Sequence, residues 1–316
     1  MARYLLGRCW QSAVLLLLVS FIGFGILHLA PGGPLSQFVL SSNLTQEDID
    51  RLTRQLGLDQ PFVVQYLDWL GRMLLGDWGR SYRDGVPVLL KIAAHIQPTF
   101  EIMSFSTVLA AVFGGAIGIL GAIRRYSLLD TLSSVGAMIA LSIPTFWFGL
   151  MMIYLFSIKL GWLPAGNRST IGDGSLGDIL HHMIAPVIVL ALVETAVWAQ
   201  FMRSSMLDAL EQDYIRTARA KGVPARGVIW SHALRNALLP MITLLGLQFP
   251  TLLGGALVTE TVFNWPGMGR LFLDSLEYRD YPVVMGILML SAVMVLMGSL
   301  LADILYAAAD PRIKMD

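Results

Sequence analysis

The sequence predicts an all-α membrane protein with six transmembrane helices and a helical loop domain between the first and second. Three observations carry that expectation. Hydrophobic residues make up 55% of the 316 residues and charged residues only 14%, with a mean hydropathy of +0.65, whereas a soluble domain carries about a quarter charged residues. Six stretches are long and apolar enough to cross hydrocarbon, near residues 9–30, 100–123, 131–158, 182–203, 237–262 and 283–307, each close to the ~20 residues a spanning helix needs. Arginines and lysines gather in alternate connections, as the positive-inside rule requires.

The first stretch follows Arg3 and Arg8, so a cleaved signal peptide is the competing reading. Its apolar run from Ala13 to Ala30 is long for a signal core, and "PGGPL" after it offers no clear small-x-small site. We expect retention as a true span. Arg124 and Arg125 close the second stretch, and Arg203, Arg216, Arg219, Lys221, Arg226 and Arg235 lie between the fourth and fifth. Arg312 and Lys314 follow the sixth. With six spans these segments share one side, which predicts that both termini are cytoplasmic.

The loop at 31–99 is too long for a turn. Thr45 with Asp48 reads as a helix start, Ile49, Leu52 and Leu56 share a face, and Gly57 offers a stop. A second helix is expected from Pro61, with a stripe of Phe62, Tyr66, Leu70 and Leu74 ending near Gly76. Trp69 and Trp78 suit an interfacial position. Packing over the bundle and contact with a delivery protein are equal readings of this segment. In "GGAIGILG", Gly114 and Gly118 stand four apart beside Gly115 and Gly121, a pattern that lets helix backbones approach. Pro144, Pro186 and Pro250 sit inside apolar stretches, where each removes a helix hydrogen bond. The chain thus divides into an N-terminal segment with the first span (1–30), the loop (31–99), a five-helix core (100–307) containing the loop 204–235, and a tail (308–316).

Composition also excludes functions. The formal net charge is zero, which leaves nucleic-acid binding without electrostatic support. Cys9 is the single cysteine, so neither an internal disulfide nor a cysteine metal cluster is possible. His181 and His182 are adjacent and therefore diverge, with no third ligand nearby, and read as surface histidines. No GxxxxGK[ST] string occurs, so any nucleotide is bound elsewhere. No nucleophile–base set is visible either. Of the carboxylates in apolar surroundings, Glu194 is the best placed to face a polar cavity, with a hydroxyl or amide on a neighbouring helix the favoured partner and a substrate amino group the sharper one. Glu101 and Glu260 lie toward the ends of their spans, Glu260 as a second polar intramembrane or pathway candidate, and Asp303 sits near the inner end of the sixth.

The most informative segment is "DALEQDYIRTARAKGVPARGVIWSHALRNALLP", from Asp208 to Pro240. Its start forms helix well, Gly222 permits a left-handed stop, and Pro224 prevents continuation before a second helix runs into the fifth span. Such a short helix seats in a partner's cleft. Arg216 and Arg219 share a face and can meet either acidic groups on a partner or anionic lipid.

This segment resembles the ATPase-docking loop of ABC importer permeases. "YIRTARAKG" followed by "HALRNALLP" is similar to the dipeptide, oligopeptide and nickel permease family, nearest its dipeptide "B" type. Arg216, Thr217 and Ala218 occupy the general pattern's Glu-Ala-Ala triplet, of which Ala218 and the later Gly222 match literally. "GDWGRSY" at 76–82, "SIPTFWFG" at 142–149, "GGALVTETVFNWPGMGRL" at 254–271 and "RDYPVV" at 279–284 resemble the same family in the same order. The resemblance implies a type I ABC importer permease fold in a bacterial inner membrane. It further implies a docking loop of Tyr214, Arg216, Thr217, Ala218, Arg219, Lys221 and Gly222, a second homologous permease, two ATPase subunits holding ATP and Mg, and an extracytoplasmic binding protein. The chain itself would hold no cofactor and catalyse nothing. Short peptides are the implied cargo, with nickel complexes, glutathione or opines as alternatives. An ion-driven secondary transporter is the rival class, but no internal repeat is visible to support it.

Overall fold

The computed structural model describes residues 2–29 and 45–309. The stretch "PGGPL", the side chains of Cys9 and Asp303, and the tail with Arg312 and Lys314 lie outside the described residues.

Helix α1 spans Ala2–Leu29. The connection that follows carries two short helices, α2 (Gln46–Gln55) and α3 (Phe62–Leu74). Thr45 and Asp48 close a reciprocal capping box at the start of α2, which satisfies two orphan groups of the first turn. Gly57, with φ +67°, ends that helix, and Pro61 precedes α3. The face of α3 that carries Phe62, Tyr66 and Trp69 packs on Phe24 of α1 and Tyr281, with the Phe24 and Trp69 rings 5.6 Å apart. Leu74, expected on this stripe, is exposed, because the helix leaves the bundle by its last turn.

Helix α4 (Val88–Ile123) begins well before the residue 100 expected of the second span. Its 36 residues extend for about 54 Å, so its first turns project beyond a ~30 Å hydrocarbon core. Pro98 lies inside it, and its own carbonyl accepts the indole N–H of Trp265 at 2.8 Å. The loop between the first two spans is correspondingly shorter than 31–99.

The third span is not one helix. Helix α5 (Leu128–Ser142) and helix α6 (Thr145–Met152), continued by a π-helical turn Ile153–Lys159, meet at a 95° bend. Pro144 is the cause: it offers no N–H and drives Ile143 into extended backbone at ψ 123°. Asp130 of α5 sits beside Arg203, while Met152 packs with Phe263, Ala185 and Val189. The bent pair therefore runs from one end of the bundle toward the other. It adds a sixth crossing to the five single helices long and apolar enough to cross a membrane.

Helix α7 (Leu176–Leu210) leads into the short α8 (Asp213–Ala220). A π-helical stretch Val228–Ala233 then feeds helix α9 (Leu234–Gly254). The fifth span was expected to reach residue 262, but Gly255, at φ +87°, ends it. Beyond it come α10 (Leu257–Val262), α11 (Met268–Glu277) and α12 (Tyr281–Ala309).

The parallel pair α4 and α7 is the spine of the bundle. A Cβ on Gly114 would lie 2.6 Å from the Trp198 Cβ and 2.8 Å from the Thr195 carbonyl oxygen. One on Gly118 would lie 2.6 Å from the Ala199 carbonyl oxygen. Only glycine permits this approach, and close van der Waals contact is what holds helices together in lipid. The packing reading of the glycine run is the one realised.

Candidate functional site

Three places bear on function: the α8 turn, the opposite end around Glu260, and the middle of the spine.

At the first, α7 stops at Leu210 and the chain turns into α8. Ile215 and Ala218 face inward and share a buried cluster with Met206, Ala209, Val228 and Ala233. Ala218, expected among the docking residues, is therefore part of the seat that holds α8 on the bundle. Tyr214, Arg216, Thr217, Arg219, Lys221 and Gly222 are exposed. Arg216 pairs with the equally exposed Asp213 at 3.3 Å, an interaction worth at most about 1 kcal/mol. Gly222 takes φ +79°, and its N–H reaches the Arg219 carbonyl at 3.0 Å while Val223 N–H reaches Ala218 at 3.1 Å. These bonds satisfy carbonyls that a helix end leaves open. The result is a rigid projection whose base is apolar and whose outer face is polar.

A charged clamp lies just inside this end. Arg203 of α7 donates from Nε and Nη2 to the two oxygens of Asp130, at 2.5 and 2.9 Å. Asp130 is 4% exposed and also accepts the Tyr126 N–H at 3.0 Å. A forked guanidinium–carboxylate pair is directional as well as strong. It fastens the start of α5 to the stretch of α7 leading into α8. The sequence offered only a weak signal for it, since both residues read as ends of apolar stretches.

At the opposite end, Glu260 is completely buried. Its Oε1 accepts the Thr99 hydroxyl at 2.8 Å and the Ala256 N–H at 3.2 Å, and its Oε2 accepts the Arg270 N–H at 3.0 Å. Thr99 Oγ1 in turn accepts the Met268 N–H at 2.7 Å. The backbone at Gly267 approaches so closely that a Cβ there would lie 2.5 Å from the Glu260 carboxyl. Glu260 is thus a bolt joining α4, the Gly255 break and the start of α11, and no part of it faces open space.

The same end holds three further tethers. Asp280 is 1% exposed, receives the Ser81 hydroxyl, and accepts the Tyr82 N–H at 2.9 Å. Lys91 joins this group, 2.6 Å from Asp84 and 3.7 Å from Asp280. Burial, with the nearby Asp280 charge, pushes the Tyr82 phenol up to about 12. Arg168 forks onto Glu101 at 2.9 and 2.6 Å. His182, read as a surface residue, is buried instead: its Nδ1 lies 2.8 Å from the Gly166 carbonyl oxygen and its Nε2 3.2 Å from Thr170 Oγ1. It closes the 160–175 loop onto α7, while His181 is exposed and meets the Trp162 carbonyl. Among the described residues no three histidines, cysteines or carboxylates come together as metal ligands.

Glu194 lies at mid-span on α7, partly buried beside the Thr107 side chain of α4. Its Oε2 and Thr107 Oγ1 are both buried, and the Thr107 hydroxyl is a hydrogen-bonding neighbour of the Glu194 carboxyl.

Fold and site together define a polytopic, all-helical integral membrane protein with a projecting helical turn at one end of the bundle. Two family models match it: "Binding-protein-dependent transport system inner membrane component" over residues 114–315, and its N-terminal membrane component over residues 1–95. The chain is similar to the oligopeptide transport system permease protein AppB of Bacillus subtilis, at 45% identity over 99% of this chain and 100% of that protein. It is also similar to a putative peptide permease protein of Brucella suis, at 43% over all of both chains, and to the glutathione transport system permease protein GsiC of Escherichia coli, at 40% over 99% of each. Among solved structures, the MetNI methionine ABC transporter in inward-facing conformations matches with a TM-score of 0.56 at 18% identity, covering 71% of this chain and 98% of that one. A crystal structure of an amino acid ABC transporter with histidines matches with a TM-score of 0.54 at 17% identity, covering 70% and 94%. These two show a shared fold alone. The chain belongs to the family of binding-protein-dependent transport system inner membrane components.

Proposed function

We propose that this chain is one permease of an ATP-driven importer of short peptides, and that the loop 204–235 docks a separate ATPase subunit. The observation that carries the docking reading is the α8 projection. Its buried face, Ile215 and Ala218, shares a cluster with the end of α7 and the π-helical stretch Val228–Ala233, while its polar face is left exposed. A push on α8 would reach α7 directly, and α5 through the Arg203–Asp130 fork. The helices flanking the pathway would then move together as the ATPases close and reopen.

Support for peptide cargo comes from the relatives, which are named for oligopeptide, peptide and glutathione transport. The reading includes a second homologous permease, two ATPases holding ATP and Mg, and a binding protein that delivers cargo. Both termini would lie on the side of α8, where the arginines and lysines gather. Nickel-complex or opine cargo would use the same machinery. An ion-driven transporter is disfavoured by how few carboxylates the spans carry at mid-depth.

The test is uptake of a labelled dipeptide into proteoliposomes holding the two permeases and ATPases, with the loaded binding protein outside. The account requires uptake that stops when ATP hydrolysis is blocked and that ignores collapse of ion gradients. Uptake driven by an ion gradient in the absence of the ATPases would overturn it.

A further inference from the structure

Helix α5 leans on α7 through small residues. Ala137 and Ala140 share a buried cluster with Ala196, and Leu192 packs against it. Because these side chains are short, an open groove of about 830 Å³ is left between α4, α5 and α7. Gly136, Ala137, Ala140, Ala196 and Ala199 line it, and Leu120, Leu128 and Leu132 form exposed walls. A Cβ on Gly136 would meet nothing within 4 Å, so no described side chain fills the groove at that depth.

The groove has a polar foot and an apolar length. Arg124 and Ser127 stand at the foot, in the turn between α4 and α5. Beyond Ser133, only Thr195 is polar among the described residues that line it. From Leu128 to Ala140 helix α5 climbs about 18 Å, a little more than one leaflet of a ~30 Å hydrocarbon core. Tyr126 beside the foot is 80% exposed, with the Arg125 guanidinium 4.9 Å from its ring centre. Aromatic and basic side chains gather in this way at the membrane–water interface.

Charge at the foot is not balanced within the described chain. Arg203 is taken by Asp130, and Arg125 faces Glu211 at 3.1 Å. Arg124 is exposed and pairs with no carboxylate among the described residues. Ser127 Oγ accepts the Asp130 N–H at 3.3 Å, which leaves its own hydrogen to donate. A cation and a hydroxyl at the interfacial end of an apolar groove one leaflet long match a phosphate above an acyl chain. Basic pockets between membrane helices take anionic head groups by the same chemistry. A spanning helix of another subunit needs the full ~30 Å, whereas the groove stops at Ala140, just before α5 bends at Pro144.

We infer that this groove holds one anionic phospholipid of the membrane, with its phosphate at Arg124 and Ser127 and one acyl chain laid along α5 over Gly136. The inference goes beyond the importer reading and needs only the membrane-spanning fold. The lipid fills the space that the small residues leave and steadies α5 against α7, beside the Arg203–Asp130 fork. A segment of the second permease is the competing occupant.

The experiment places the permease complex in phosphatidylcholine nanodiscs with a trace of phosphatidylglycerol or phosphatidylcholine carrying a diazirine on its acyl chain. After irradiation and digestion, mass spectrometry measures label on residues 128–140, normalised to label on the rest of the chain. The site predicts about fivefold more label there from phosphatidylglycerol than from phosphatidylcholine, the preference one arginine confers at a membrane surface. Arg124→Gln brings that ratio toward one. Gly136→Leu, whose side chain enters the groove without meeting protein atoms at its Cβ, removes the label from 128–140 with either probe. A ratio near one in the unchanged protein overturns the inference. So does a ratio that Arg124→Gln leaves unaltered, or label that survives Gly136→Leu. A Gly136→Leu chain that no longer pairs with the second permease also overturns it, because a protein segment would then be the occupant.

Discussion

Glu260 offers the sharpest stability prediction. Three donors, the Thr99 hydroxyl and the N–H groups of Ala256 and Arg270, converge on its two oxygens inside a site with no exposure. Glu260→Gln keeps the volume but turns one of the two oxygens into a donor. Facing Arg270 it loses one bond and opposes a second N–H; facing Thr99 and Ala256 it loses two. With each unsatisfied buried group costing about 1–3 kcal/mol, the variant is destabilised by about 2–4 kcal/mol. Glu260→Ala adds a cavity and strands all three donors, costing about 4–6 kcal/mol. The assay is thermal unfolding of the purified complex, followed by loss of the monodisperse form. The two variants should melt in the order Gln then Ala below the unchanged protein, the first by roughly 5–10 °C. Unaltered melting in Glu260→Ala would refute the bolt. Unaltered melting with lost transport in Glu260→Gln would make Glu260 a pathway residue instead.

Other expectations follow from the same geometry. Gly118→Val places carbon within 2.6 Å of the Ala199 carbonyl oxygen, so the α4–α7 seam must open at a cost of about 1–3 kcal/mol; melting of the variant checks it, and Gly136→Ala, with no neighbour within 4 Å, should melt unchanged. The raised Tyr82 phenol contributes stability that is complete below pH ~10 and lost as pH rises through about 12, a linkage worth about 2–3 kcal/mol. Alkaline titration of phenolate absorbance should therefore lose a late-ionising component in Tyr82→Phe. Reversing Arg216 and Arg219 to Glu together leaves melting unchanged, because both side chains are exposed, but weakens capture of the ATPase subunit about tenfold, an effect that high salt reduces.

Where structure follows local rules, the sequence was readable. The Thr45–Asp48 capping box, the Gly57 stop, the Pro61 start and the Gly222–Pro224 turn each depend on residues within a few positions of one another. The Gly114 and Gly118 spacing was readable for the same reason, although its partner helix was not. Local rules failed where the answer lay across the fold. Pro144 signals a broken helix, but the size of the 95° bend depends on what α6 packs against, namely Val262 and Phe263 beyond the fifth span. Glu260 could be read only as a pathway or polar intramembrane carboxylate, because its partners come from residues 99 and 256–270, brought together only by folding. Ala218 looked like a contact residue because a family motif records position and not facing. The Arg203–Asp130 fork and the Ser81–Asp280 tether join residues far apart in the chain, and no spacing rule reaches that far.

The coupling role of α8 is the centre of the account, and Gly222→Pro tests it most directly. Proline fixes φ near −65° and has no N–H, whereas Gly222 uses φ +79° and donates to Arg219. No neighbour lies within 4 Å of the position a Cβ would take, so the damage is confined to the turn and the bundle should remain assembled. The measurement is dipeptide uptake together with ATP hydrolysis stimulated by the loaded binding protein, in proteoliposomes of the assembled complex. The account predicts that both fall to the unstimulated level while the permease still inserts and pairs. Full uptake with normal stimulation in that variant would contradict it.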